Sequence, residues 1–487
     1  MRTTFGSFNI ATSGLFASQR ALDTTSHNIS NANTAGYSRQ IALQRATMPT
    51  YSPTGIVGTG TETYDIVQMR SSYLDVKYWS QNKTRQEWGV KEDQLGTLES
   101  VFNEPSETGI RIVMDEFFTS LEELSKLPGD STCRVAVAEK ANMVAKTINR
   151  NGRELLNSIR DVNFSVGNKV EQINSLSEQI ADLNRNIFSL ELGGNKANDL
   201  RDQRNVLLDE LSSIVNITVG EMPGPNGSDY LDVKIGGITL INHISYNKLS
   251  LKDEEVEGIT DLGGGKISRI VWDGTNQEVN VEGGELKGLL DIRDGDGTSY
   301  SYRGIPFYIE KLNEFAKGLT SGFNEQHKKG IDLEGNQGKN FFYDDGITEV
   351  NCINFKIDPS ISAKPDLIAA SSQGNGESNN DNVEQLISLR QSKDMFATLK
   401  GTPDDFVKSI LSTLAVDSSQ AKRMTSNYKA LTDQTDNRRI SESGVSLDEE
   451  MTNMIKFQQA YNASAQMITT LDGILDTTVN RLGLVGR

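Results

Sequence analysis

The sequence predicts an α+β fold that is mainly α: discontinuous terminal coiled-coil helices, a long-helix bundle domain and a small inserted β domain. Three observations carry this. The ten prolines leave 1–48, 129–222 and 404–487 free, and proline costs about 3 kcal/mol inside a helix, so long helices can run there. Within these stretches apolar residues recur every seven positions. Between Ile214 and Gly284 the pattern changes to short β-type runs broken by Gly, Asn and Asp.

The elements follow in order. Phe8, Leu15, Leu22 and Ile29 mark a first helix, with Ala11, Ser18 and Thr25 three positions after the large residues. A β-rich stretch covers about 37–69, broken by Gly55, Gly58 and Gly60. Leu74, Trp88, Leu95 and Phe102 lie at multiples of seven and mark a second helix. In 150–192 Ile159, Val166, Ile173, Ile180 and Ile187 form one series; Val162, Lys169, Leu176, Leu183 and Leu190 form another. That is a sustained heptad, with one polar slot at Lys169. Strand patterns occupy 230–235 and Ile267–Trp272, and helical patterns return at 285–293 and Ile305–His327. The polar run 371–382 reads as a loop. Thr402 can cap a helix that starts at Pro403, with Asp404 and Asp405 at the positive end of its dipole, and runs to about Ser441.

The C-terminus has the same period. Leu447, Met454, Tyr461, Ile468, Leu475 and Leu482 form one series; Met451, Gln458, Ala465, Asp472 and Val479 form the other. Ser446 and Glu449 read as a capping box, and Gly483 as a stop. Neither end buries enough area alone to offset an ordering entropy of about 1–2 kcal/mol per residue. Each end's first candidate partner is the other. A stalk within one molecule and packing against further copies both satisfy the pattern.

Three domains result, which suits about one per 100–200 residues. Residues 1–38 with 445–487 form a terminal coiled-coil assembly domain. Residues 39–213 with 285–444 form a helical domain with a β-rich N-terminal stretch. Residues 214–284 form an inserted outer β domain.

Composition removes several functions. With 66 acidic and 49 basic side chains the net charge is −17, which leaves no basic face for nucleic acid. No stretch approaches the roughly 18 apolar residues of a membrane span, and the first sixteen residues lack a Sec-type signal pattern. Cys133 and Cys352 read as unpaired thiols. His27, His243 and His327 belong to no metal or catalytic motif. The Gly-rich runs at 55–60 and 263–265 open no helix, so they read as turns and not phosphate cradles. Asp291, Asp294 and Asp296 lack EF-hand spacing and read as a solvated turn. No catalytic residue, metal or cofactor is expected.

The run HNISNANTAGYSR at 27–39 closely resembles the N-terminal motif of the bacterial flagellar axial proteins, and DEEMTNMIKFQQAYNASAQMI at 448–468 resembles their shared C-terminal helix. NDLRDQR at 198–204, GIDLEG at 330–335 with Gly338, Phe341 and Phe342, and SGVSLDEE at 443–450 resemble the hook–filament junction members. Hook protein shares both terminal motifs, but its middle is mostly β, whereas 71–213 here reads as helix. On this resemblance Asn28, Asn31, Asn33, Gly36 and Tyr37 match the N-terminal motif, and Gln458, Tyr461 and Ala465 the C-terminal one. It implies a structural part of the flagellum at the distal end of the hook, exported by the flagellar type III apparatus. It also implies self-assembly into a helical array. The implied partners are hook protein, the second junction protein (hook-associated protein 3) and an export chaperone, with no nucleic acid and no membrane insertion. The alternatives are another axial protein, such as hook protein, or an axial scaffold bearing an adhesin or hydrolase domain.

Overall fold

In the computed structural model, residues 4–52, 55–102, 109–224, 229–256, 258–298, 301–372, 378–398 and 400–481 are described. Helix α1 (Thr4–Ser30) leads into an antiparallel arm. Its strands β1 (Gln40–Ala46) and β4 (Thr61–Gln68) pair, and beyond them β2 (Thr50–Ser52) pairs with β3 (Gly55–Val57). Four helices follow: α2 (Ser72–Phe102), α3 (Ile110–Lys126), α4 (Ser131–Glu191) and α5 (Asn198–Ile214).

The 61 residues of α4 make a rod about 90 Å long at 1.5 Å per residue. Asp130 caps it by accepting from the Thr132 amide. The series Ile159, Val166, Ile173, Ile180 and Ile187 is buried throughout. The polar slot Lys169 reaches Glu285 at 2.5 Å, so it ties the rod to the next helical layer. Leu190 ends exposed.

A four-stranded meander runs β5 (Thr218–Pro223), β6 (Asp229–Ile235), β7 (Ile238–Asn242) and β8 (Ser245–Tyr246). Strands β9 (Leu249–Glu254) and β10 (Ile267–Trp272) form a separate pair. These strands have no core of their own. Leu231, Val233, Ile241, Leu249 and Ile270 belong to the same hydrophobic cluster as α4. Asn174 of α4 fixes the start of β9, donating to the Leu249 carbonyl at 2.9 Å and accepting from its amide at 2.8 Å.

Helices α6 (Glu285–Asp294) and α7 (Ile305–His327) return to the bundle, followed by the short α8 (Pro359–Ala363) and α9 (Asp381–Ser388). Helix α9 begins inside the run read as loop, so that loop is shorter than expected; residues 373–377 lie outside the described ones. Phe117 and Phe118 of α3 meet Phe323 of α7 with Phe341 and Phe342 of the loop beyond it. The glycine/aromatic block is thus core. The solvated turn expected at Asp291, Asp294 and Asp296 holds only for Asp296, which accepts from the Thr298 amide; Asp291 and Asp294 lie on α6, where Asp291 faces Lys91 and Lys287 and Asp294 faces Arg293.

Helix α10 (Pro403–Ser443) packs along α2 and opens with a complete capping box between Thr402 and Asp405. Helix α11 (Leu447–Asp476), continued by a π-helical turn Thr477–Arg481, returns to α1. Leu482 and Gly483 lie outside the described residues. The expected capping box at α11 is not formed: Ser446 occupies the N-cap with no side-chain bond. Glu449 is drawn instead to Arg39, whose guanidinium donates to it at 3.0 Å.

Candidate assembly interface

The two chain ends form one antechamber to the bundle: α1 lies between α11 and the β1–β4 arm. Its small residues make that possible. Ala11, Ala17, Ser18, Ala21, Thr24 and Thr25 are buried, and a Cβ on Gly14 would stand 3.2 Å from Ser464 Oγ of α11. Hydroxyls that would otherwise need partners donate back within their own helix, as Ser18 does to the Gly14 carbonyl, Thr24 to Arg20 and Ser464 to Ala460. At these three positions close packing strands no hydroxyl.

The large seam residues are not closed off by this pair. Phe8, Leu15, Leu22, Ile29, Met454, Tyr461, Ile468 and Leu475 are half-buried, and Leu447 is exposed. Glu450 is the one buried residue of the thirty in α11. The second C-terminal series needs correction. Met451, Gln458, Asp472 and Val479 point outward and Ala465 is half-buried; the inward positions are Glu450, Phe457, Ser464 and Leu471, three residues after the first series rather than four. Both offsets are helix neighbours, and only the position of α1 selects between them. Phe16, Ile455, Met467 and Val479 add to the uncovered apolar surface, Val479 at 73% exposure.

At the inner end of the pair is a polar knot. Asn28, 1% exposed, makes four bonds. Its amide nitrogen donates to Glu450 Oε2 (3.0 Å) and the Gln40 carbonyl (2.9 Å); its oxygen accepts from the Gln40 amide (2.9 Å) and the Tyr37 hydroxyl (2.8 Å). Arg39 Nε donates to Glu450 Oε1 at 2.8 Å, which neutralises the buried carboxylate. Burial and the nearby Asp199 carboxylate push the Tyr37 phenol up, so it stays a donor. Its oxygen also meets His27 Nδ1 at 3.0 Å. Asn31 donates to the His27 carbonyl and closes the helix end; Asn33 is exposed. Gly36 has φ +78°, and a Cβ there would lie 2.2 Å from Val206 Cγ2 of α5, so only glycine fits the turn. Ser38 then anchors the turn to α5, donating from its amide (2.8 Å) and hydroxyl (2.7 Å) to Asp202.

Sequence reasoning missed Glu450, Gln40 and Asp202. Arg39 closed the N-terminal motif, yet its carboxylate partners lie 410 and 411 residues away. Glu450 could have been found as the first of the correct inner series. Among the described residues no group of His, Cys, Asp and Glu could hold a metal, and no helix is long and apolar enough to cross a membrane.

A buried knot thus joins the two helices, and the large apolar residues of their seam stay half-exposed. The chain is 33% identical to flagellar hook-associated protein 1 of Bacillus subtilis over the whole of both chains. The chain belongs to the flagellar hook-associated protein 1 family. It is a hook–filament junction component of the bacterial flagellum. The flagellar hook-associated protein FlgK helical domain matches residues 95–342. The flagella basal body rod protein and the flagellar basal body rod FlgEFG protein C-terminal families match 8–37 and 437–482, the two halves of the helix pair. Hook-associated protein 1 of Escherichia coli is 24% identical over 97% of this chain and 99% of its own. The flagellar hook junction protein FlgK from Burkholderia pseudomallei has the same fold, with a TM-score of 0.64 over 76% of this chain and all of that one at 15% identity.

Proposed function

We propose that this hook-associated protein 1 family member works as a structural, non-catalytic subunit whose α1–α11 pair packs beside copies of itself into the inner layer of a helical array. The observation that carries this is α11, with one buried residue in thirty and a half-exposed heptad seam. Such a helix gains its stability from tertiary packing rather than propensity. On this reading residues 1–38 with 445–487 are the assembly domain. Residues 39–213 with 285–444 form the next layer, and 214–284 faces outward, leaning on α4. The subunit sits outside the cell at the distal end of the hook, exported by the type III route with a chaperone. It contacts hook protein below and the second junction protein above. A junction between a flexible and a stiff tube needs a rigid body, and the shared core of strands and α4 supplies one.

Ile468→Asp tests the seam. The isolated chain should keep its circular dichroism and unfolding midpoint, because Ile468 is only half-buried. Incorporation at the hook should stop, since the array would bury an unpaired carboxylate. Normal filaments from that variant would overturn the assignment.

A further inference from the structure

The β2–β3 hairpin is unexplained by the helix seam. Two strands of three residues pair only with each other, and an isolated two-stranded hairpin is marginal in water. It exposes Tyr51 at 86% and Ile56 at 65%, and Met48, in the link leading to it, is 90% exposed. Residues 46–61 contain no charged residue, in a chain that is 24% charged. At that average, sixteen residues would hold about four charges. Uncharged, apolar and unpaired at both edges, the hairpin has the surface of a docking element rather than a solvated loop.

The same chain carries a groove of about 700 Å³ between the 31–37 turn, α4 and α5. Leu183, Val206, Leu207 and Tyr37 supply its apolar wall; Asp182 and Asp199 stand on its rim. An uncharged insert suits this groove, because a neighbour with net charge −17 would otherwise bring like charge to an acidic rim.

Hairpin and groove cannot meet within one molecule. The arm runs back along α1: Gln44 Nε2 donates to the Ala17 carbonyl, the Thr61 amide donates to Ser13 Oγ, and Gly60 lies over Ser13 and Ile10. The groove is at the other end, at His27 and Asn31. Ile10 to His27 is 17 residues of helix, about 26 Å, and the hairpin lies beyond Gly60. A knob at one end of a subunit and a socket at the other is the head-to-tail contact that generates an open helical array.

We propose that the β2–β3 hairpin of one copy seats in the α4–α5 groove of the next copy along the array. This rests on the assembly reading above but uses surfaces that the helix seam does not.

The test uses the full chain in a strain lacking its own copy. Tyr51→Cys and Gln203→Cys are combined in a Cys133→Ser background, and hooks are isolated and mildly oxidised. Gln203 is exposed on the groove. The expected result is a ladder of covalent multimers on non-reducing gels from assembled material, none from monomer and none from either single cysteine. Swimming cells without a ladder would overturn the proposal, as would dimers from Tyr51→Cys alone or an adduct to a different axial protein. Independently, Tyr51→Asp should leave the monomer folded and lower the fraction of filament-bearing cells about tenfold or more. If Ile468→Asp blocks assembly and Tyr51→Asp does not, the hairpin contact is wrong and the seam stands. If neither blocks it, the seam reading falls too.

Discussion

Asn28 and Glu450 are 422 residues apart in the chain and joined by a 3.0 Å hydrogen bond where α1 meets α11. The bond fixes the rotation of one terminal helix against the other, because Asn28 is also held by the Gln40 backbone and Tyr37.

Replacing Asn28 by Ala leaves the Gln40 amide and carbonyl without partners in a buried corner. At about 1–3 kcal/mol for each stranded group, the thermal midpoint of the purified chain should fall measurably. Asn28→Asp should be worse at neutral pH, since it sets a second carboxylate against Glu450. Part of that loss should return on mild acidification, as one of the two protonates. An Asn28→Asp variant as stable as wild type would show that the knot contributes nothing.

Gly36→Ala meets two obstacles: its left-handed φ, worth about 1–2 kcal/mol for a residue with a Cβ, and the clash with Val206 Cγ2. Val206→Ala removes the clash but not the strain. The double variant should therefore recover part of the stability lost by Gly36→Ala alone. A denaturant-based double-mutant cycle reads this coupling directly; strict additivity would remove Val206 from the explanation.

His327 is fully buried, and burial pushes it down to about 4 from 6.5. Its Nε2 accepts from the Ala369 amide at 2.8 Å, while Nδ1 lies 2.6 Å from the Lys339 carbonyl, so the neutral ring serves both. The folded state resists the proton that the unfolded chain takes up. The stability of the neutral ring is therefore complete above 6.5 and lost as pH falls toward 4, by about 3 kcal/mol in all. His327→Gln should flatten that part of the pH profile. An unchanged slope between pH 6.5 and 4.5 would refute the assignment.

Cys352 is buried against Gly152, and desolvation pushes its thiol up to about 12. Cys133 is only partly covered. Maleimide added to the native chain at pH 7.5 should label Cys133 alone, with Cys352 reacting after denaturation, because the thiolate is the nucleophile. Labelling of both at equal rates would mean that the α4 contact opens readily.

The long helices were legible because their heptads and proline gaps are local. The Ile159–Ile187 spacing needs no partner to be read. What failed was non-local. Whether Met451 or Glu450 faces inward depends on where α1 lies. The N-cap role of Ser446 stayed readable, yet its expected box partner Glu449 was taken by Arg39, more than four hundred residues earlier. The β stretch was recognisable from its turns, but no sequence pattern reveals that Leu231 and Val233 close over α4 rather than over each other. At the terminal element, the Asn28 motif was found and its buried partner Glu450 was not, because an acidic residue in a helix's first turn reads as dipole chemistry.

Because the first and last helices complete one another, the molecule carries a length check. A copy that ends between Ser443 and Leu447 keeps the hydrophobic cluster but has nothing to lay beside α1, and Arg39 loses both its carboxylates. Under the proposed packing such a fragment lacks half of the assembly element, so an array of this kind admits only copies translated through α11.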